Sequence, residues 1–178
     1  MRRVEKSEAL ELLQENRRTL LGGADGCVMC ALAAFDHSHP EFIAGNEHGT
    51  VVLDGFGSCK GHLLVISRTH VVDTTDLPWP AYIALQRLAY EACHALRRAF
   101  DPPRIFNAIL GTAAQLPMSF PHFHIHALPV YETDERARPA NVFSWSYGVL
   151  IYDRVEVVSL SAQIRAAWPA RAESSGQS

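Results

Sequence analysis

The sequence lacks a long apolar run, an apolar leader and any strong excess of charge. Residues 1–18 are charged throughout, and the apolar run that follows, Val28 to Phe35, is far shorter than the roughly 20 residues that cross a bilayer. The formal net charge is −3, so no overall field attracts nucleic acid or an anionic membrane. We therefore expect a cytoplasmic protein, without membrane or long nucleic-acid partners, that recognises any anionic substrate through a local site.

Cysteine is also scarce, with four residues in a chain of 178. Disulfides are rare in the cytoplasm, so these thiols are not expected to cross-link the fold. Cys27 and Cys30 form a C-x-x-C pair, which favours metal or redox chemistry. Cys59 and Cys93 stand alone and are expected to be buried thiols. Hydrophobic residues make up 48% of the chain, enough for a core that needs no covalent support.

The hydrophobic pattern predicts an α+β fold, with a mainly antiparallel sheet of about five strands and one long helix packed on it. The helix is predicted at Pro80 to Phe100, where apolar residues recur with a period of 3.6 and Asp101-Pro102-Pro103 ends the pattern. The predicted strands of the sheet are Phe42 to Ala44, Thr50 to Asp54, His62 to Ile66, Arg104 to Leu110 and His122 to Val130.

Segments on either side of this sheet divide the chain into three parts. Residues 1–26 are predicted to form a helix, Ser7 to Leu20, and a loop, and residues 27–131 the central domain that contains the sheet. Residues 132–178 are predicted to form an extension packed on that domain, ending in a frayed tail. Its predicted elements are a charged linker at Glu132 to Pro139, a hairpin of Val149 to Tyr152 with Val155 to Leu160, and a helix at Ser161 to Trp168. Its aromatic residues, expected in a core or a dimer surface, are Trp145, Tyr147, Tyr152 and Trp168.

The most informative stretch is Pro121 to Pro129, in which histidine alternates with apolar residues. Side chains of a strand alternate between faces, so His122, His124 and His126 would share one face. The outer two would lie about 13 Å apart, too far for one phosphoryl group to contact all three. His124 is central, and neutral imidazole, with an ordinary pKa near 6.5, is a good nucleophile. The alternatives are a solvated strand that happens to hold three histidines, or a catalytic metal site, which the divergence of the side chains disfavours.

The triad and the residues before it resemble the histidine triad family over about Cys27 to Pro129. The residues that match the family in order and spacing are Asp54, Gly61, His62, His70, Ser119 and His122. In particular, Asp54 precedes His62 by eight residues, and His70 follows His62 by eight.

The resemblance implies a nucleotide hydrolase of the nucleoside phosphoramidate or dinucleoside polyphosphate type, acting at the α-phosphate through a nucleotidyl-histidine intermediate. His124 would attack the phosphorus, and His126 would donate a hydrogen bond to a phosphate oxygen. His62 would orient its neighbours, Ser119 would contact the leaving group or a phosphate oxygen, and Asp54 would accept from the ribose hydroxyls.

The resemblance also implies a structural zinc ion and a homodimer. The residues that correspond to the zinc ligands of the metal-bearing branch are Cys27, Cys30, His70 and His122. Two thiolates and two imidazoles make a closed tetrahedral set. The sequence leaves two alternatives open: a local site in which His37 and His39 join the cysteines, and a metal-free thiol pair. The dimer would use the long helix and a sheet edge as a two-fold surface.

The chain departs from the family pattern around the leaving group and the sugar. Pro117-Met118 replaces the usual Gly-Gln, so that Gln115 would have to reach the nucleotide from the loop. Arg68-Thr69 replaces Pro-Lys before the zinc histidine, and Gly111 replaces an asparagine. These departures leave two alternatives: a nucleotidyltransferase or phosphorylase of the same fold, and a zinc-stabilised nucleotide-binding protein without turnover. The transferase branch often has Gln at the third triad position, so His126 favours hydrolysis.

Overall fold

A computed structural model describes residues 1–23, 25–111 and 119–170 of the protein. Its strands are β1 Arg2–Val4, β2 Phe42–Gly45, β3 Gly49–Leu53, β4 Phe56–Gly57, β5 Leu63–Ser67, β6 Arg104–Ala108, β7 His124–Val130 and β8 Val149–Ile151. Its α-helices are α1 Lys6–Leu20, α2 Val28–Ala33, α3 Trp79–Phe100, α4 Pro139–Phe143 and α5 Arg154–Ala166. No helix within these ranges is both long enough and apolar enough to span a membrane.

Five strands form one antiparallel sheet in the order β2-β3-β5-β7-β6, which confirms the predicted fold class. Across β5 and β7, Ile66 lies opposite His124 and Leu64 lies opposite His126. On the other side of β7, Ala108 of β6 lies opposite His126. A smaller sheet, in the order β1-β8-β4, joins the N-terminus to the C-terminal extension.

Helices α3 and α5 cover one face of the five-stranded sheet. Alternate strand residues such as Val51, Val65 and Ile125 are buried in one cluster with the apolar stripe of α3 and with Ile164 of α5. The predicted period of the long helix is therefore confirmed. The helix ends where Asp101 adopts a left-handed conformation, directly before the two prolines.

The opposite face of the sheet is covered only in part. Helix α2 packs Val28 and Met29 against β3 and β5. Near the far end of β7, Val142 of α4 is buried in the same cluster as Leu128 and Val130. The side chains of His124 and His126 share this face with Leu128 and Val130. The two histidines therefore lie between helix α2 on one side and helix α4 on the other.

The predicted C-terminal hairpin is wrong in its second half. Strand β8 forms near the predicted position, but the segment Val155 to Leu160 belongs to α5. Asp153 and Glu156 form a capping box, because each carboxylate accepts a hydrogen bond from the other residue's backbone N–H, at 2.9 and 3.0 Å. The predicted linker before α4 also contains a short 3-10 turn, Glu135–Ala137, whose alanine is buried. The predicted tail beyond residue 170 lies outside the described residues.

Candidate active site

His124 is the first residue of β7 and is half-buried on the partly covered face of the sheet. Its Nδ1 lies 2.7 Å from the backbone carbonyl oxygen of His122. Because a carbonyl oxygen only accepts, Nδ1 carries the proton and the lone pair is on Nε2. Burial lowers the pKa of the His124 ring, with a further contribution from His62, although the hydrogen bond to His122 opposes the shift. The ring is therefore neutral at neutral pH, and Nε2 is its nucleophilic nitrogen.

The chain bends directly before β7, so the predicted strand begins two residues too early. The backbone N–H of Phe123 donates to the carbonyl of Val71 instead of continuing the sheet ladder. The ring of His122 is buried and its Nε2 lies 2.8 Å from the carbonyl oxygen of Ser67. This bend points His122 away from the other two histidines of the triad.

His62 bridges Asp54 and His126 across three neighbouring strands. Its Nδ1 lies 3.0 Å from Oδ2 of Asp54, and its Nε2 lies 3.0 Å from Nδ1 of His126. Asp54 follows β3 directly and His62 precedes β5 directly, and the N–H of Asp54 donates to the carbonyl of His62. The antiparallel pairing of β3 with β5 and of β5 with β7 therefore aligns the three side chains in a row.

Charge and burial set the protonation states along this row. Burial alone would raise the pKa of Asp54, but the charge of His62, its hydrogen bond and the N–H of Phe56 together hold the pKa below its usual range. Asp54 is therefore a carboxylate. Burial, followed by the nearby His62 and His124, lowers the pKa of His126 to about 2, so His126 is neutral.

Gly61 fixes the position of His62. Its φ of +83° lies in the left-handed region, and a Cβ at this position would lie 2.8 Å from the Phe100 ring. The N–H of Gly61 donates to the hydroxyl of Tyr152, at 3.2 Å. Glycine therefore allows α3 to pack against the turn that presents His62, and the C-terminal extension supports the same turn.

A second cluster brings together all four predicted zinc ligands, with their ligand atoms within 4.8 Å of one another. Nδ1 of His122 lies 3.5 Å from Sγ of Cys27, 3.4 Å from Sγ of Cys30 and 3.3 Å from Nδ1 of His70. Sγ of Cys30 lies 3.2 Å from Nδ1 of His70. With zinc–sulfur bonds of about 2.3 Å and zinc–nitrogen bonds of about 2.0 Å, the ligand atoms of a tetrahedral site lie roughly 3.3–3.8 Å from one another. The distances between these sulfur and nitrogen atoms are close to that range.

The donor chemistry of this cluster also fits a metal ion. His122 uses Nε2–H to donate to the carbonyl of Ser67, which leaves an unprotonated Nδ1 facing the two thiols. A second ring nitrogen held by a backbone carbonyl is the usual arrangement for a ligating histidine. The cluster therefore fits a closed, structural site for an ion such as zinc.

Arg68, one of the departures from the family pattern, anchors the helix that carries the cysteines. Its guanidinium donates to the carbonyl of Ala33 at the end of α2, at 2.8 Å, and to that of Asn46, at 2.9 Å. The hydroxyl of Thr50 donates to the same Ala33 oxygen, at 2.7 Å. The loop before His70 is thus tied to α2 by side-chain hydrogen bonds.

The alternative histidines of the local site have other partners. The ring of His39 stacks on Phe35, and its Nδ1 lies 2.9 Å from a carboxylate oxygen of Glu41. The ring of His37 contacts Phe42 edge-on. Within the described ranges, the cluster of two cysteines with His70 and His122 is the group of ligand atoms that converges.

A cavity of about 570 Å³ adjoins Asp54 and was missed by sequence reasoning. Most of its wall is apolar, and the residues that contribute this wall include Leu20, Val28, Met29, Leu32, Val52 and Phe120. Tyr152 and Arg154 of the extension complete it. Its volume is that of a small-molecule site. The apolar run Val28 to Leu32 was the feature of the sequence that could have indicated one wall of this cavity. The other walls come from distant parts of the chain, so their meeting could not be predicted from the sequence.

Two predicted site residues lie in or beside the segment that joins β6 to β7. Ser119 is half-buried and immediately precedes Phe120, which lines the cavity. Gln115 lies outside the described residues, as do Pro117 and Met118, where the chain departs from the family pattern.

Comparison with known proteins identifies one family. The HIT domain model matches residues 37–133. An uncharacterised HIT-like protein of Mycoplasma pneumoniae is 29% identical over 110 residues, which cover 61% of this chain and 74% of the relative.

Two solved structures share the fold. A Zn-bound histidine triad family protein from Mycobacterium smegmatis superposes with a TM-score of 0.60 at 24% identity, covering 80% of this chain and 92% of that one. The Plasmodium falciparum diadenosine triphosphate hydrolase has a TM-score of 0.58 at 14% identity, covering 85% and 93%.

Proposed function

We propose, because this chain belongs to the histidine triad family, that it is a nucleotide hydrolase acting at the α-phosphate through a nucleotidyl-histidine intermediate. The observation that carries the proposal is the 2.7 Å contact from Nδ1 of His124 to the carbonyl of His122, which leaves Nε2 free to attack. The candidate substrates are nucleoside phosphoramidates and dinucleoside polyphosphates. The fold shared with a hydrolase of diadenosine triphosphate supports the second class.

The reaction would take two displacements. In the first, Nε2 of His124 bonds to the α-phosphorus as the bond from phosphorus to the leaving group breaks, and the leaving group takes up a proton. In the second, water attacks the same phosphorus, the phosphorus–nitrogen bond breaks and a nucleoside monophosphate is released. One difficult displacement is thereby divided into two easier ones.

The row formed by Asp54, His62 and His126 would handle the proton. For His126 to donate from Nε2, its Nδ1 must accept, and His62 must then donate through both of its nitrogens. As His126 gives its Nε2 proton to the leaving group, it takes one at Nδ1 from His62, and the attacking water later restores the original state.

The nucleoside would occupy the cavity beside Asp54. The apolar wall formed by α2 and Phe120 suits the flat face of a base. Asp54 is 17% exposed, and a carboxylate has more lone pairs than its contacts with His62 and Phe56 use, so it retains the capacity to accept from sugar hydroxyls. Ser119 stays in the proposal as a contact of the phosphate or of the leaving group, and Gln115 as a contact of the nucleotide.

Zinc would be held by the cluster of Cys27, Cys30, His70 and His122 in a structural role. The ion would supply four bonds that join the start of α2 and the loop after β5 to the bend before the nucleophile. His122 connects the two sites, because its backbone carbonyl orients His124 while its ring belongs to the zinc cluster.

The homodimer also remains a prediction. Trp79, Ile83 and Tyr90 are exposed at helical spacing on α3, on the side away from the sheet. Among the described residues, strand β6 has a partner strand on one side only, so its other side is an edge of the five-stranded sheet near this helix.

The proposed function predicts a covalent adduct on His124. Intact-protein mass spectrometry after rapid mixing with adenosine 5′-phosphoramidate or diadenosine triphosphate should show an added adenylyl group that disappears as AMP forms. Peptide mapping should locate it at His124. Turnover without any adduct, together with an unmodified His124 peptide under acid-free quenching, would contradict the mechanism. Product that carries phosphate from the buffer instead of water would identify a phosphorylase.

The activity should persist to unusually acidic pH for a histidine nucleophile. Only neutral His124 can attack, so the rate falls as pH falls through its pKa, which burial lowers from the ordinary 6.5. We expect kcat/KM for diadenosine triphosphate, which has no terminal phosphate to titrate, to show an acidic limb centred below pH 6.5. An acidic limb centred at or above pH 6.5 would show that His124 is not shifted in this direction.

A further inference from the structure

The C-terminal extension contributes an aromatic side chain to the triad. Phe143, the last residue of α4, lies edge-to-face against His126, with ring centroids 5.5 Å apart and an interplanar angle of 69°. The same ring lies 6.1 Å from that of Phe106 on β6, in a stacked arrangement. Phe143 lies ten residues beyond the matched HIT domain, which ends at residue 133.

The sheet order places Phe143 on the opposite side of the histidines from the cavity. The cavity lies over β3, where Val52, Leu53 and Asp54 line it. The histidines are on β7, and Phe143 packs on Phe106 of β6, the next strand in the order β3-β5-β7-β6. Phe143 and the cavity therefore lie on opposite sides of the strand that carries His124 and His126.

The position of Phe143 is fixed by its surroundings. Val142, the residue before it, is buried, and Ala137 of the preceding 3-10 turn is almost completely buried in the same cluster. The side chain of Asn141 donates to the carbonyl of Glu135, at 2.8 Å, and Lys6 donates to the carbonyl of Ser144, at 3.0 Å. Phe143 itself is only partly buried, so part of its ring is accessible to a ligand.

We infer that Phe143 is a specificity-determining residue that forms the wall of the leaving-group subsite. It selects substrates whose leaving group carries a flat aromatic group close to the scissile bond, such as the aryl amine of a nucleoside phosphoramidate. Ala108, the residue opposite His126 on β6, presents only a methyl group beside this wall. This inference rests on the proposed function, because it assigns a direction to the leaving group of that reaction.

The test compares two substrates that differ only in the leaving group. Adenosine 5′-phosphoramidate releases ammonia, and adenosine 5′-phosphoranilidate releases aniline. An aromatic pair contributes about 0.5–1.5 kcal/mol, so Phe143→Ala should lower kcat/KM for the anilidate about two- to twelvefold more than for the amidate. Phe143→Tyr keeps the aromatic face and should retain the wild-type ratio. Tyr147→Ala removes an exposed aromatic ring of the same extension and is the matched control for stability.

The ratio of the two kcat/KM values separates the outcomes. A ratio that falls in Phe143→Ala and stays constant in Phe143→Tyr and Tyr147→Ala supports the subsite. Equal losses on both substrates would mean that Phe143 only packs against His126, and no loss would mean that the leaving group lies elsewhere; either result overturns the inference. If the wild-type protein processes neither substrate nor diadenosine triphosphate, the proposed function itself fails, and this inference fails with it.

Discussion

Replacing His124 with asparagine is expected to reduce turnover by on the order of 10⁴-fold or more, the scale seen when a catalytic nucleophile is removed. The amide of asparagine preserves polarity and approximate size, but it has no nitrogen lone pair able to attack phosphorus. The fold should persist, because His124 is only half-buried and its ring is held by a hydrogen bond to the carbonyl of the nearby His122. Steady-state kinetics on adenosine 5′-phosphoramidate and calorimetric binding of AMP would measure the two properties separately.

The other two triad positions provide the comparison. His126→Asn should cost less, about 10²–10³-fold in kcat, because it removes one donor and leaves the nucleophile in place. His122→Asn should act on stability and metal content, because its ring lies among the cysteines. If His124→Asn kept near wild-type turnover, or if His126→Asn were the more damaging change, the assignment of the nucleophile would be wrong.

The sequence predicted the sheet and the row of polar residues across it for physical reasons. Asp54 and His62 are eight residues apart at the ends of two short β-branched and apolar runs, and an antiparallel connection brings such ends together. The alternation from His122 to Val130 is a period-two signal that only a strand explains well. Both patterns are local, so they can be recognised without knowledge of distant contacts.

The features that the sequence did not reveal depend on contacts between distant segments. Phe143 reaches His126 only because Ala137 and Val142 are buried against β7, and no periodicity marks that packing. The cavity beside Asp54 is lined by residues from six separate parts of the chain. The bend at His122 arises from a hydrogen bond between Phe123 and Val71, which the uninterrupted alternation of histidines conceals.

The first half of α5, Val155 to Leu160, was predicted as a strand for a different reason. The β-branched residues Val155, Val157 and Val158 favour a strand locally. The capping box at Asp153 and Glu156 was visible in the sequence and points to a helix start. Burial of Val157 and Ile164 against the core, with Val155 exposed, then decides in favour of the helix. Tertiary packing outweighs the intrinsic preference of these residues.

Cys30→Ser is expected to remove the metal and to destabilise the whole protein. Structural zinc in small sites binds with an apparent free energy of about 10–16 kcal/mol, and this binding energy becomes folding energy. Domains of this kind are stable by only about 5–15 kcal/mol in total, so losing the ion would be comparable with losing the fold. Elemental analysis should find about one zinc per wild-type chain and almost none in the variant, and thermal unfolding should show a much lower Tm.

Cys93→Ser is the matched control, because Cys93 is a half-buried thiol on α3 that belongs to the core cluster and not to the group of ligand atoms. It should keep its zinc and unfold close to the wild-type Tm. If Cys30→Ser does not yield folded protein, His70→Asn changes an exposed ligand, and a strong chelator added to the wild-type protein removes the ion without any mutation. Wild-type protein purified without chelator that contains no zinc, or a Cys30→Ser protein with unchanged Tm, would contradict a structural zinc site at these two cysteines and two histidines.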